Sequence, residues 1–379
     1  MIHRATYIQQ IEKALGRSPV TALLGPRQCG KTTLARMIEG RRQACFFDLE
    51  SPLDQARLQN PQMALDSLEG LVILDEIQMR PELFRVLRVM ADRAGNRTRF
   101  LILGSASPGI VGGISETLAG RIEFIEMSGF DLGETGAEGI QDLWLRGGFP
   151  RSYLPESIED SLAWREGFIR TFLERDIPQL GITIPAQAMR RFWTMLAHFH
   201  GQTLNSSELG RSMGITDKTI RSYLDILTGT YMVRQVQPWF ENIKKRQVKA
   251  PKIYFRDSGI LHHLMSVTDQ KSLMVHPRLG ASWEGFAMEQ AIRGLGLTEF
   301  YFWSTYSGAE LDLLFFRNGK KYGFEFKFNE TPSLTRSMGA ALQDLSLEHL
   351  WVVYPGMHAA PLEERISILP LAKIHELKF

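Results

Sequence analysis

The chain has 379 residues, with 44 Lys plus Arg against 42 Asp plus Glu and a formal net charge of +2. That length suggests two or three domains, and 44% apolar with 23% charged residues excludes a mainly disordered chain. The charge balance excludes a histone-like polycation, so any nucleic-acid surface must be a local patch.

In chain order, strand and helix signals alternate first. Pro19 to Leu24 reads as a buried strand, Thr32 to Glu39 as a helix and Ala44 to Leu49 as a strand. Two short helical stretches precede the apolar run Leu71 to Leu74. Pro81 to Ala94 has helical spacing, with Leu83, Val86, Leu87 and Met90 on one face. Phe100 to Leu103 and Ile122 to Met127 are further strands. Such alternation implies a parallel sheet covered on both faces. A glycine-rich cluster, Gly129 to Gly148, breaks the rhythm, and Ser157 to Leu227 is helical. A basic loop-rich stretch follows, Asn242 to Arg256. From Trp283 onward strands return at Tyr301 to Trp303, Leu311 to Phe316, Tyr322 to Phe328 and Trp351 to Tyr354, flanked by helices at Trp283 to Arg293 and Met338 to Leu347. Cys29 and Cys45 are the two cysteines, which excludes a disulfide scaffold and an all-cysteine zinc site. No apolar run approaches the ~20 residues of a membrane span, and the N-terminus lacks a signal-peptide core. A cytoplasmic protein without a membrane partner is expected. The histidines, His198, His200, His262 and His263 included, lack metal-ligand spacing and read as ordinary surface or core residues.

Gly25-Pro26-Arg27-Gln28-Cys29-Gly30-Lys31-Thr32 matches G-x-x-x-x-G-K-S/T at every fixed position, with a strand before it and a helix after it. Its backbone N–H groups and the helix N-terminus suit phosphates. Lys31 would reach the β- and γ-phosphates, Thr32 would hold Mg²⁺, and Thr33 continues the nucleotide-binding run. Leu71 to Leu74 delivers Asp75 and Glu76 at the carboxyl end of a strand, where ligands bind in open α/β sheets. Asp75 suits the Mg²⁺ sphere and Glu76 the base that orients an attacking water. Ser105, closing the next strand, is expected to sense the γ-phosphate or position water. Arg121 is expected to act as an arginine finger or an internal phosphate sensor.

These residues resemble a known family. GPRQCGKTTLA (25–35), LVILDEIQ (71–78), LILGSAS (101–107) and LAGR (118–121), with GGFP (147–150), FLERDI (172–177), FRDSG (255–259) and the C-terminal ELDLLF and FEFK, are similar to bacterial and archaeal AAA+-like ATPases that carry a C-terminal domain of unknown function. The resemblance spans nearly the whole chain. It implies ATP and ADP as ligands with Mg²⁺. Cys29 stands where the family more often has a small aliphatic residue.

In the middle, Leu204 to Gly210, the turn Gly214-Ile215-Thr216 and the helix Asp217 to Leu227 read as a winged helix-turn-helix, with Lys218, Thr219, Arg221 and Ser222 outward. Lys244, Lys245, Arg246, Lys249 and Lys252 form a local basic excess suited to phosphates. Lys218, Arg221, Lys244, Lys245 and Arg246 are the expected DNA contacts. Near the end, Glu284, Asp312, Glu325 and Lys327 have the spacing of a PD-(D/E)xK nuclease core, with Leu311 in place of its proline. Alternation puts Glu325 and Lys327 on one strand face. A live site would hold Mg²⁺ through Asp312 and Glu325, with Glu284 as a further ligand; in an inert one Lys327 would pair with a carboxylate and take the cation position.

The expected architecture is α/β: an AAA+-like ATPase domain over 1–130, a helical winged helix-turn-helix region over 131–258 and a nuclease-like domain over 259–379. The expected function is Mg²⁺-dependent ATP hydrolysis coupled to a conformational change and acting on DNA. The alternative is an ATP-dependent switch or scaffold for a protein partner or a homo-oligomer, with an inert nuclease-like domain. A transcription regulator is the third reading.

Overall fold

The structure, a computed structural model, describes residues 2–95, 97–105, 116–242 and 245–379. It comprises two compact units, Met1–Gly129 with Gly229–Tyr231, and Phe130–Thr228 with Met232–Phe379.

The first unit is built on five parallel strands, β1 (Val20–Gly25), β2 (Ala44–Asp48), β3 (Gly70–Asp75), β4 (Thr98–Ser105) and β5 (Ile122–Glu126), in the order β2-β3-β4-β1-β5. Every residue of β1 is buried, because a parallel sheet covered by helices on both faces needs continuous apolar strands rather than alternating ones. The helix Ala5–Arg17 buries Ile8, Ile11, Ala14 and Leu15. The helix Leu83–Ala91 buries Leu83, Phe84, Leu87 and Met90; Phe84 joins the expected apolar face and Val86 sits at its margin. The insertion of β4 between β1 and β3 matters for function: parallel register sets Gly25 opposite Ser105 and Leu74 opposite Ile102. The carboxyl ends of three strands therefore meet at one edge.

In the second unit the helices Ser206–Met213 and Asp217–Gly229 are separated by Gly214 at φ 71°, a left-handed position that glycine adopts without strain. The side chain of Asn205 caps the first of them by accepting from the Glu208 N–H at 3.1 Å. A small antiparallel sheet accompanies them, β6 (Gln202–Thr203), β7 (Val233–Val236) and β8 (Lys252–Phe255), ordered β6-β8-β7. The C-terminal part holds a mixed six-stranded sheet of β9 (Phe300–Ser304), β10 (Glu310–Arg317), β11 (Lys320–Phe326), β12 (His349–Tyr354), β13 (Ala360–Glu363) and β14 (Ile366–Pro370), ordered β13-β14-β12-β11-β10-β9. The β10–β11 hairpin turns at Asn318 and Gly319, with φ of 50° and 75°, the positive pair that a two-residue hairpin turn requires. No helix among the described residues is long and apolar enough to cross a membrane.

A buried polar chain ties three helices of this unit together. The Trp144 indole N–H donates to Ser282 Oγ at 2.9 Å, Ser282 lies 2.6 Å from His262 Nε2, and His262 Nδ1 lies 3.0 Å from the Leu145 carbonyl. A carbonyl only accepts, so Nδ1 carries the proton and Nε2 accepts from Ser282. Burial holds the His262 pKa down at about 4, and burial together with the Arg278 charge holds that of His200 at about 3. Both rings are neutral in the folded protein. Their ordinary pKa is near 6.5, so below that value the unfolded chain binds more protons than the folded one. The associated stability is complete above about pH 6.5 and is lost as pH falls toward 4 for His262 and 3 for His200. A His262→Asn variant is expected to lose less stability than wild type between pH 6.5 and 4 in urea titrations; parallel slopes would contradict the assignment.

Candidate functional site

The loop between β1 and the helix Lys31–Glu39 has the backbone its sequence demands. Gly30 sits at φ 101° and Gln28 at φ 63°. A Cβ on Gly25 would lie 2.0 Å from the Met127 carbonyl oxygen, so the end of β5 closes on the loop and excludes any side chain there. Arg4 fixes this arrangement from the N-terminal segment: its guanidinium donates to the carbonyls of Cys29 (3.1 Å), Ser128 (2.9 Å) and Gly129 (3.0 Å). Cys29, within the loop, is buried. Arg27 lies 3.6 Å from Glu50. Pro26, Gly30 and Thr33 belong to the same loop and helix start.

Lys31 is buried and donates to the Gly25 and Pro26 carbonyls at 3.1 and 2.8 Å. Those bonds satisfy its ammonium group inside the loop that it would leave for a phosphate. Thr32 Oγ1 donates to Asp75 Oδ2 at 2.7 Å, and Asp75 Oδ1 accepts from the Glu76 N–H at 2.9 Å. Burial pushes the Asp75 carboxyl above its usual range, against the pull of the Thr32 bond. Two hard oxygen donors in contact, one a buried carboxylate, suit Mg²⁺. Glu76 has φ 55° and ψ 49°, a left-handed conformation that costs a non-glycine residue about 1–3 kcal/mol and tends to persist at functional positions. Gln78 donates to Glu76 Oε2, and its amide nitrogen lies 3.0 Å from Ser105 Oγ. Gln78 was not among the expected site residues. Its place two residues past a strand-end carboxylate is the signal that could have singled it out.

Arg121 lies away from the phosphate loop of its own chain. Its carbonyl accepts from the Val20 N–H at the start of β1, whereas the phosphate loop follows the end of that strand. Five residues of β-rise separate the two ends by about 16 Å. Arg121 instead pairs with Asp92, at 2.9 Å for one of its contacts, and donates to the Ala119 carbonyl. Parallel register thus removes Arg121 from the role of internal phosphate sensor.

In the second unit Lys218 and Arg221 are exposed on the helix Asp217–Gly229. Lys245 pairs with Asp344 at 2.6 Å, and Arg246 lies over the Tyr306 ring at 4.6 Å. Lys244, Ala106 and Ser107 lie outside the described residues. Lys252, expected in the exposed basic run, is 4% exposed. It opens β8 on the same face as Tyr254, and that face meets carboxylates. Lys252 Nζ bonds Glu310 and lies 3.6 Å from both Glu284 and Asp312. Tyr254 donates its hydroxyl proton to Glu284. Burial would pull the lysine pKa down, but Tyr254, Glu284, Asp312 and Glu310 hold it well above the usual range.

The hairpin register, Leu313 opposite Phe324, sets Asp312 across from Glu325. Asp312 Oδ2 accepts from the Phe326 N–H at 2.9 Å, and Lys327 Nζ lies 3.0 Å from Glu325 Oε2. Burial and the neighbouring Asp312 push the Glu325 carboxyl well up and that of Glu284 up to about 7. Among the described residues no group of three or more His, Cys, Asp or Glu side chains is placed to hold a metal ion. Lys252 and Lys327 are interleaved with Glu284, Asp312 and Glu325, the carboxylates expected to hold an ion. Like charges this close stay buried only when protons or cations compensate them.

The parallel sheet, the glycine loop and the two carboxylates at the end of β3 define the class: a P-loop ATPase of the AAA type. A model described as an AAA domain matches residues 17–136, and two domains of unknown function, DUF8612 and DUF4143, match 137–271 and 279–374. The chain belongs to one family with the uncharacterized proteins Rv2008c of Mycobacterium tuberculosis and Mb2031c of Mycobacterium bovis. It is 50% identical to each over 374 residues, covering 99% of this chain and 85% of either relative. A Walker-type ATPase of Pyrococcus abyssi has a similar fold, with a TM-score of 0.50 at 16% identity, over 70% of this chain and 96% of that one.

Proposed function

We propose that the chain is an Mg²⁺-dependent ATPase whose hydrolysis drives a conformational change in a DNA-contacting remainder. The observation that carries the catalytic part is the direct contact of Thr32 with Asp75 beside Lys31, with Glu76 next in sequence. Lys31 places positive charge against the β- and γ-phosphates. Thr32 and Asp75 would hold Mg²⁺, which when bound neutralises charge on the phosphate oxygens. Glu76 orients a water and takes its proton as the water oxygen bonds to the γ-phosphorus. The bond from that phosphorus to the bridging oxygen breaks, and ADP leaves with the electron pair. Ser105, beside Gly25, is assigned to γ-phosphate contact. Arg121 is assigned to a neighbouring copy's nucleotide.

The division into 1–130, a winged helix-turn-helix region over 131–258 and a nuclease-like domain over 259–379 is part of this reading. Two helices joined at Gly214 and followed by the β6-β8-β7 sheet support the middle assignment. Lys218, Arg221, Lys245 and Arg246, exposed in one nearly neutral chain, support phosphate contact. The alternative reading, a switch or scaffold for a protein partner with an inert C-terminal domain, is favoured by Lys252 and Lys327 standing among the carboxylates.

ATP hydrolysis measured with and without single- and double-stranded DNA, at two salt concentrations, separates the readings. Stimulation that fades with salt supports DNA; the same rate in every condition supports the scaffold. Neutralising Lys244, Lys245 and Arg246 together is expected to weaken DNA binding equally across sequences. The slope of log affinity against log salt should fall by about one unit for each phosphate no longer neutralised. An unchanged isotherm at low salt would remove these residues from the interface.

A further inference from the structure

We infer that Gln78 is a positioning residue of the hydrolytic site, joining the Glu76 carboxylate to the Ser105 hydroxyl through one amide nitrogen. The inference rests on the proposed role of Glu76. A carboxylate only accepts hydrogen bonds, so the group facing Glu76 Oε2 must be the amide NH₂ of Gln78. The same nitrogen lies 3.0 Å from Ser105 Oγ. One NH₂ has two protons, and each finds an oxygen. Ser105 thereby accepts from Gln78 and keeps its own proton to donate, as a contact to a γ-phosphate oxygen requires. One Glu76 oxygen, Oε2, is held by the Gln78 amide.

The surrounding fold maintains this bridge. Gln78 lies in the short turn Ile77–Met79 that follows Glu76, and Ile77 is fully buried in the core of the first unit. Gly104, just before Ser105, leaves the amide its space: a Cβ there would lie 3.2 Å from Ile77 Cγ2 and 3.3 Å from Gln78 Oε1. The left-handed backbone of Glu76 aims the chain so that residues 76 and 78 both face the end of β4. Because β4 lies between β1 and β3, the bridge runs from the residue beside the phosphate loop to the residue that activates water. It couples occupancy of the phosphate position to the orientation of the base.

The test is steady-state ATP hydrolysis by the intact chain, with ATP binding measured by calorimetry. Wild type is compared with Gln78→Ala, Ser105→Ala, the double variant, Gly104→Ala and Glu76→Gln. Gln78→Ala is expected to lower kcat roughly 10- to 100-fold through misplacement of the base, with ATP affinity and thermal stability unchanged. Gly104→Ala, which keeps the glutamine but crowds it, should lower kcat in the same direction. The double variant should be no slower than the slower single variant, since both lack the same bridge. Wild-type kcat in Gln78→Ala beside an inactive Glu76→Gln overturns this inference and leaves the assignment of Glu76 intact. Wild-type kcat in Glu76→Gln overturns both.

Discussion

Replacing Glu76 by Gln is expected to leave ATP binding unchanged and to slow hydrolysis by roughly 10²- to 10⁴-fold, the range over which a positioned general base acts. The substitution keeps size and shape but replaces a charged, proton-accepting carboxylate by a neutral amide. In the proposed site binding would rest on Lys31, the loop N–H groups and the Thr32–Asp75 pair, none of which bonds the Glu76 side chain. A loss confined to kcat therefore identifies an interaction made only in the transition state. Lys31→Ala should do the reverse and weaken binding, because the charge that meets the phosphates is gone. Calorimetric titration with ATP beside single-turnover hydrolysis resolves the two cases. Equal losses of binding in both variants would contradict the division of labour.

The second large effect is on stability. Lys252→Ala should destabilise the second unit by about 3–5 kcal/mol, the usual result of breaking a buried ion pair from one side. The lysine stands within 3.6 Å of Glu284 and Asp312 and bonds Glu310, so its removal leaves carboxylates facing one another without their cation. Tyr254, which donates to Glu284, cannot supply the missing charge. All seven tryptophans lie between residues 144 and 351, within the second unit. Urea unfolding followed by tryptophan fluorescence thus reports on that unit alone. Adding Glu284→Gln to Lys252→Ala should recover part of the stability, since one carboxylate then needs no counter-ion. A change under about 1 kcal/mol in the single variant would mean that protons already compensate the cluster.

The glycine loop and the Thr32–Asp75 edge were legible because their parts are local. The glycine loop is a run of eight residues, and Asp75 and Glu76 end an apolar strand, so sequence pattern and strand register lead to the same edge of the sheet. The shared face of Glu325 and Lys327 was legible for the same reason: alternation along one strand decides it. Lys252 was hidden because its partners are distant in the chain. Read locally it belongs to a basic run, and only β8 packing beside the helix Leu279–Gly294 and β10 turns it inward. For the internal-sensor role, Arg121 is the opposite case. The short spacing from β4 to β5 brings it near the site along the chain, but a parallel strand returns to the amino end of the sheet before it begins. Gln78 closes the LVILDEIQ run, but its contact with Ser105 depends on β4 lying beside β3.

The most direct test of the central claim is phosphate release from ATP by the intact wild-type chain, measured with saturating Mg²⁺ and with the ion chelated, beside Lys31→Ala. A nucleotide site built on Lys31, Thr32 and Asp75 predicts turnover that requires Mg²⁺ and disappears in Lys31→Ala. Turnover that persists in Lys31→Ala, or that is the same with Mg²⁺ chelated, would contradict it.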